Sequence, residues 1–106
     1  MFEQFIEQKS QQLIYYVSRF FRGQLPYAEL RIFIWDTLEE WSQLDVRDKA
    51  PETMQEQVFW HLLHQLEYWP EQELKQNKRL KRALQHCLAF LCGKATVPSR
   101  CVGVRP

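Results

Sequence analysis

Glycine and proline interrupt the first 93 residues at only five positions: Gly23, Pro26, Pro51, Pro70 and Gly93. Between these breaks, apolar residues recur at spacings of three, four and seven, and no strand-like alternation persists. Gln, Glu, Leu, Lys and Arg, all good helix formers, fill the intervals. The chain is therefore expected to be all-α, a compact antiparallel four-helix bundle with helices near 2–22, 26–44, 52–69 and 71–92. Residues 1–93 are expected to form one helical domain, and 94–106, with two prolines and no period, an extended or disordered basic tail.

The boundaries follow from local chemistry. Gly23 suits the left-handed conformation that closes a helix, and Arg19 and Arg22 place cations near the negative dipole end. Pro26 fits the first turn of the next helix, whose core stripe reads Tyr27, Leu30, Ile34, Leu38 and Trp41. Glu29, Asp36 and Glu40 line its opposite side, and Ile32 and Phe33 project away from the stripe, so this helix has more apolar surface than one covered face requires. The polar stretch 45–51 reads as a loop, after which Thr53 and Glu56 match a capping box. The third helix carries Val58, Phe59, Leu62, Leu66 and Trp69 on one side, and on the other an aromatic ridge of Trp60, His64 and Tyr68, which either packs on the first or fourth helix or forms an exposed interface with the Ile32–Phe33 surface. Pro70 opens the fourth helix, with Leu80, Leu84, Cys87, Leu88 and Leu91 as its core face and Gly93 as its stop. Asn77 offers an alternative, later start, which would leave 70–76 as a separate turn.

The chain is 106 residues long and its net charge of +1 conceals a segregation. Residues 1–73 hold all 13 acidic residues and six basic ones, a net of −7; residues 74–106 hold the other eight basic residues and no acid, a net of +8. Such asymmetry points to an acidic or basic partner, or to helices that complement one another within one fold or across a dimer. Lys75, Lys78, Arg79, Lys81 and Arg82 spread over one arc opposite the leucine face. They read as a solvated or internally paired face, as contacts for an acidic protein, or as contacts for phosphate. No apolar run reaches the roughly 20 residues of a membrane span. The stretch MFEQFIEQKSQQ lacks the features of a signal peptide, so a cytoplasmic location is expected. Three cysteines, an odd number, argue against a disulfide framework.

Motifs for catalysis or cofactor binding do not emerge. His61 and His64 lie one turn apart, but HExxH and paired ExxH patterns are missing. His86, Cys87, Cys92 and Cys101 match no familiar zinc spacing, and no local motif places a base beside a thiol. Three glycines leave no phosphate-binding loop. The expectation is a non-enzymatic protein-interaction or regulatory module of the adaptor or anti-activator type. It is expected to be a homodimer without catalytic residues, cofactor or metal. Ile32, Phe33, Trp60, His64 and Tyr68 are its expected partner-binding residues, where large aromatic side chains favour an interface. The alternative is a nucleic-acid-binding module that uses Lys75, Lys78, Arg79, Lys81 and Arg82.

Overall fold

In a computed structural model, which describes residues 2–44, 52–96, 103, 105 and 106, with side chains from Gln4 onward, the chain forms five helices. These are α1 (Phe2–Phe21), α2 (Tyr27–Ser42), α3 (Met54–Tyr68), α4 (Glu71–Gln76) and α5 (Lys78–Leu91). Among the described residues there is no strand. The expected loop over 45–51 and the tail beyond 96, apart from three residues, lie outside the described residues.

The glycine stops work as the sequence indicates. Gly23 has φ +73°; its N–H donates to the Phe20 carbonyl at 3.0 Å, and the Gln24 N–H reaches the Arg19 carbonyl at 2.8 Å. Gly93, at φ +77°, repeats the pattern with bonds from Gly93 to Phe90 at 2.9 Å and from Lys94 to Ala89 at 2.8 Å. Both are Schellman closures, which satisfy carbonyls that the last helical turn leaves open. Pro26 and Pro70 stand at the N-cap positions of α2 and α4, in extended backbone, just outside the first turn.

The expected helix over 71–92 is divided. Asn77 leaves the helical region, with ψ 101°, and its side-chain oxygen accepts the Leu80 N–H at 3.0 Å as the N-cap of α5. Its amide donates to the Glu73 carboxylate at 3.0 Å. One short polar side chain thus ends α4 and starts α5, because asparagine competes for backbone groups better than a helix interior can use it.

The chain divides into two units, one built on α1 and α2, the other on α3, α4 and α5. In the first, aromatic pairs join the helices: Phe5 with Trp41 at 5.8 Å, Tyr16 stacked on Phe33 at 4.5 Å, and Phe20 with Tyr27 at 5.9 Å between ring centroids. These pairs run up α1 as they run down α2. Leu13, Val17, Leu30 and Ile34 are buried, each contributing about 1.5–3 kcal/mol. Lys9 is buried too; its ammonium meets Glu40 at 2.8 Å and lies 5.9 Å from the ring centres of both Phe5 and Phe33. Thr37 returns its hydroxyl to the Phe33 carbonyl at 2.8 Å.

In the second unit α5 packs on α3 and α4, and Leu62, Leu66, Leu74, Leu84 and Cys87 are buried. Here a carboxylate is taken out of water. Glu56 is buried. It accepts the Trp60 indole N–H at 3.0 Å and Nη2 of Arg105 at 2.8 Å, and the Arg105 Nε bonds its Oε2. Gly103 seats the same segment: its N–H donates to the Gln57 carbonyl at 2.9 Å, and a Cβ there would lie 2.2 Å from the His61 backbone nitrogen. Only glycine allows that approach. Glu56, expected as a capping-box partner, anchors Arg105, 49 positions downstream.

Two stability outcomes follow. Gly23→Ala forces a side chain into a left-handed backbone and is expected to cost about 1–2 kcal/mol, read as a lowered melting temperature. Arg105→Ala takes the guanidinium away from the buried Glu56 carboxylate and is expected to cost about 3–5 kcal/mol. In a denaturant titration, the double variant with Glu56→Gln is expected to lose less than the two single losses combined.

Candidate functional site

The outer face of α2 leaves two large apolar groups in water. Ile32 is 53% exposed and Trp35, one turn on, is 64% exposed. Asp36 and Glu39, also exposed, flank them on the same face. Beside this face runs a shallow groove of about 290 Å³ between α1 and α2; Tyr16, Phe33 and Ile32 line it, with Glu29, Asp36 and Glu40 along its acidic side. On α1, Tyr15 is 53% exposed and carries the Arg19 guanidinium 4.4 Å over its ring.

The position of Trp35 follows from helix geometry. Phe33 and Trp35 lie about 100° to either side of the apolar stripe read from the sequence, because each residue advances the helix by about 100°. The observed buried arc, from Phe33 through Thr37, Leu30 and Trp41 to Ile34, is rotated by about 50° toward Phe33. That rotation buries Phe33 and leaves Trp35 outside.

Two residues of the expected partner-binding set are buried rather than on the surface. Phe33 is buried under the Tyr16 ring. Trp60 is wholly buried, its indole bonded to Glu56. The ridge on α3 is graded: members spaced by four residues advance about 40° at each step, so Trp60 falls inside the buried arc. His64, in ring contact with Trp60 at 6.2 Å, is half-buried, and Tyr68 is 74% exposed with its ring edge-on to Trp69 at 5.0 Å. Ile32 and Tyr68 are the surface residues of the expected set. Trp35 and Tyr15 were not singled out from the sequence, although the placement of Trp35 one turn from Ile32 was the available signal.

The basic residues are split by the Asn77 break. Lys75 lies on α4, paired with Glu71 at 2.6 Å. Lys78, Arg79, Lys81 and Arg82 belong to α5, where all but the half-buried Lys81 are exposed. They sit opposite the buried Leu84, Cys87, Leu88 and Leu91. Their place in the first two turns is electrostatically unusual: the helix N-terminus is its positive end, and the first turn of α5 has no acidic residue.

Among the described residues, no group of three or more His, Cys, Asp or Glu could hold a metal ion. His61 and His64 remain a pair, and Cys87 and Cys92 are free thiols, the first buried and the second exposed; Cys101 lies outside the described residues. Among the described residues, no helix is long and apolar enough to cross a membrane. No protein-family model, curated protein or solved structure matches the chain.

His61 is a titratable group that the fold perturbs. Burial, and secondarily the charge of His64, holds its pKa below the ordinary 6.5. The folded chain therefore favours the neutral ring and binds fewer protons than the unfolded chain between the two pKa values. The stability His61 contributes is fully present above pH 6.5 and is lost as the pH falls through the lower, folded value. Replacing His61 with Gln is expected to flatten that dependence. Urea midpoints measured across this acid range for both proteins check it.

Proposed function

We propose that this chain is a non-enzymatic protein-interaction or regulatory module of the cytoplasm, self-associating, which works through the outer face of α2. The observation that carries this reading is the exposure of Ile32 and Trp35 one turn apart on a helix whose other side is already buried. An aromatic and an aliphatic side chain together in water, rimmed by carboxylates, have the composition of an interface centre with a polar rim. The compact antiparallel four-helix bundle expected from the sequence belongs to the same proposal, with α4 and α5 together serving as its fourth arm.

A second reading is a nucleic-acid-binding module, favoured by the exposure of Lys78, Arg79 and Arg82 on one helix. It requires binding that weakens steeply as salt rises, because phosphate contacts release counterions.

The interaction reading is tested with a photo-crosslinking residue at position 35 in intact cells, followed by mass spectrometry of the adducts. A defined protein adduct that Ile32→Glu removes supports it; crosslinking no greater than at the exposed polar position Gln72 overturns it. Trp35→Glu and Ile32→Glu, both on the surface, are expected to leave unfolding stability within about 0.5 kcal/mol of the parent chain. Lost crosslinking in a stable variant therefore reports on binding.

A further inference from the structure

We infer that the occupant of the α2 face is helix α5 of a second copy of this chain, with the Arg79 and Arg82 guanidinium groups meeting Asp36 and Glu39 and covering Trp35. The inference rests on the interaction reading and names its partner.

The first unit already shows how it holds a cation. Lys9 lies between the Phe5 and Phe33 rings, each 5.9 Å from its ammonium, and meets a carboxylate of α2 at 2.8 Å. Trp35 with Asp36 and Glu39 offers the same combination of aromatic ring and carboxylate on the outer side of the helix, where all three are exposed. Arginine suits that combination, since its planar guanidinium stacks on an indole while it bonds carboxylate oxygens, and its aliphatic stem covers apolar surface.

The cations that fit are on α5. Arg79 and Arg82 are exposed and three residues apart, a rise of about 4.5 Å along the helix. Asp36 and Glu39 have the same separation. Arg79 and Arg82 also sit in the first two turns of α5, near its positive end, and the first turn has no acid, so a negative counterpart there relieves an unfavourable arrangement.

A second copy is favoured because the two halves of the requirement are carried by one sequence. Residues 1–73 total −7 and residues 74–106 total +8. Each copy presents one acidic, apolar face on α2 and one basic face on α5. A two-fold pair uses both faces of each copy, which is how an isologous interface closes without growing into a filament.

The test is a charge swap read by sedimentation velocity on the full chain. The parent protein is expected to dimerise at high micromolar concentration, less so as salt rises. Asp36→Lys with Glu39→Lys, and separately Arg79→Glu with Arg82→Glu, are each expected to weaken self-association by about tenfold or more, since like charges then face one another. An equimolar mixture of the two variants restores both sets of pairs and is expected to form a heterodimer. Circular dichroism confirms that each variant is folded. The inference is overturned by a monomeric parent, by variants that dimerise as the parent does, or by a mixture that stays monomeric. A monomeric parent whose position 35 still crosslinks to a different protein removes self-pairing and keeps the interaction reading; a monomeric parent without crosslinks removes both. Retention of RNA or DNA that is lost only in the Arg79→Glu, Arg82→Glu variant assigns α5 to phosphate and also overturns the inference.

Discussion

A charge taken out of water must be met by its opposite, and each of the two units holds one such charge. In the first unit it is the Lys9 ammonium, buried beside two phenylalanine rings and held by Glu40. In the second it is the Glu56 carboxylate, bonded by two nitrogens of Arg105 and by the Trp60 indole. Desolvation makes such groups expensive unless every partner is in place, so they hold their neighbours to one geometry. The stacking of Tyr16 on Phe33 and the burial of Trp60 both adjoin these pairs.

How far the fold was legible in the sequence depended on whether the deciding contact was local. Gly23 and Gly93 close their helices through bonds within six residues, and both were readable. Asn77 was readable only as an alternative: a cap side chain and a helix-interior side chain look the same until the Leu80 N–H is seen to be taken. Phe33 and Trp35 could not be ranked at all. They lie symmetrically about the sequence stripe, and the packing of α1 on α2 decides which one is covered. The anchoring of Arg105 at Glu56 spans 49 positions, and no periodicity reports a contact of that range. The basic cluster was legible as charge, and its division between α4 and α5 only through the Asn77 alternative.

The surface follows from what the core uses. Once α2 gives Phe33 to the stack with Tyr16, Trp35 and Ile32 are left on the outside, with Asp36 and Glu39 beside them. Once α5 gives its leucines to the second unit, its basic residues are gathered on the opposite arc near the helix start. Neither face is explained by helix stability, since exposed tryptophan and N-terminal cations both work against it. In the proposed pairing each of these faces covers the other.

The docking of Gly103 on the backbone of α3 has a consequence for recognising other chains built in the same way. A Cβ at that position would meet backbone rather than a movable side chain, so substitution there is excluded wherever the docking is kept. Arginine two places later and glutamate 49 positions before that arginine complete the arrangement. Together Glu56, Gly103 and Arg105 make a three-point pattern that a chain keeping this docking is expected to retain.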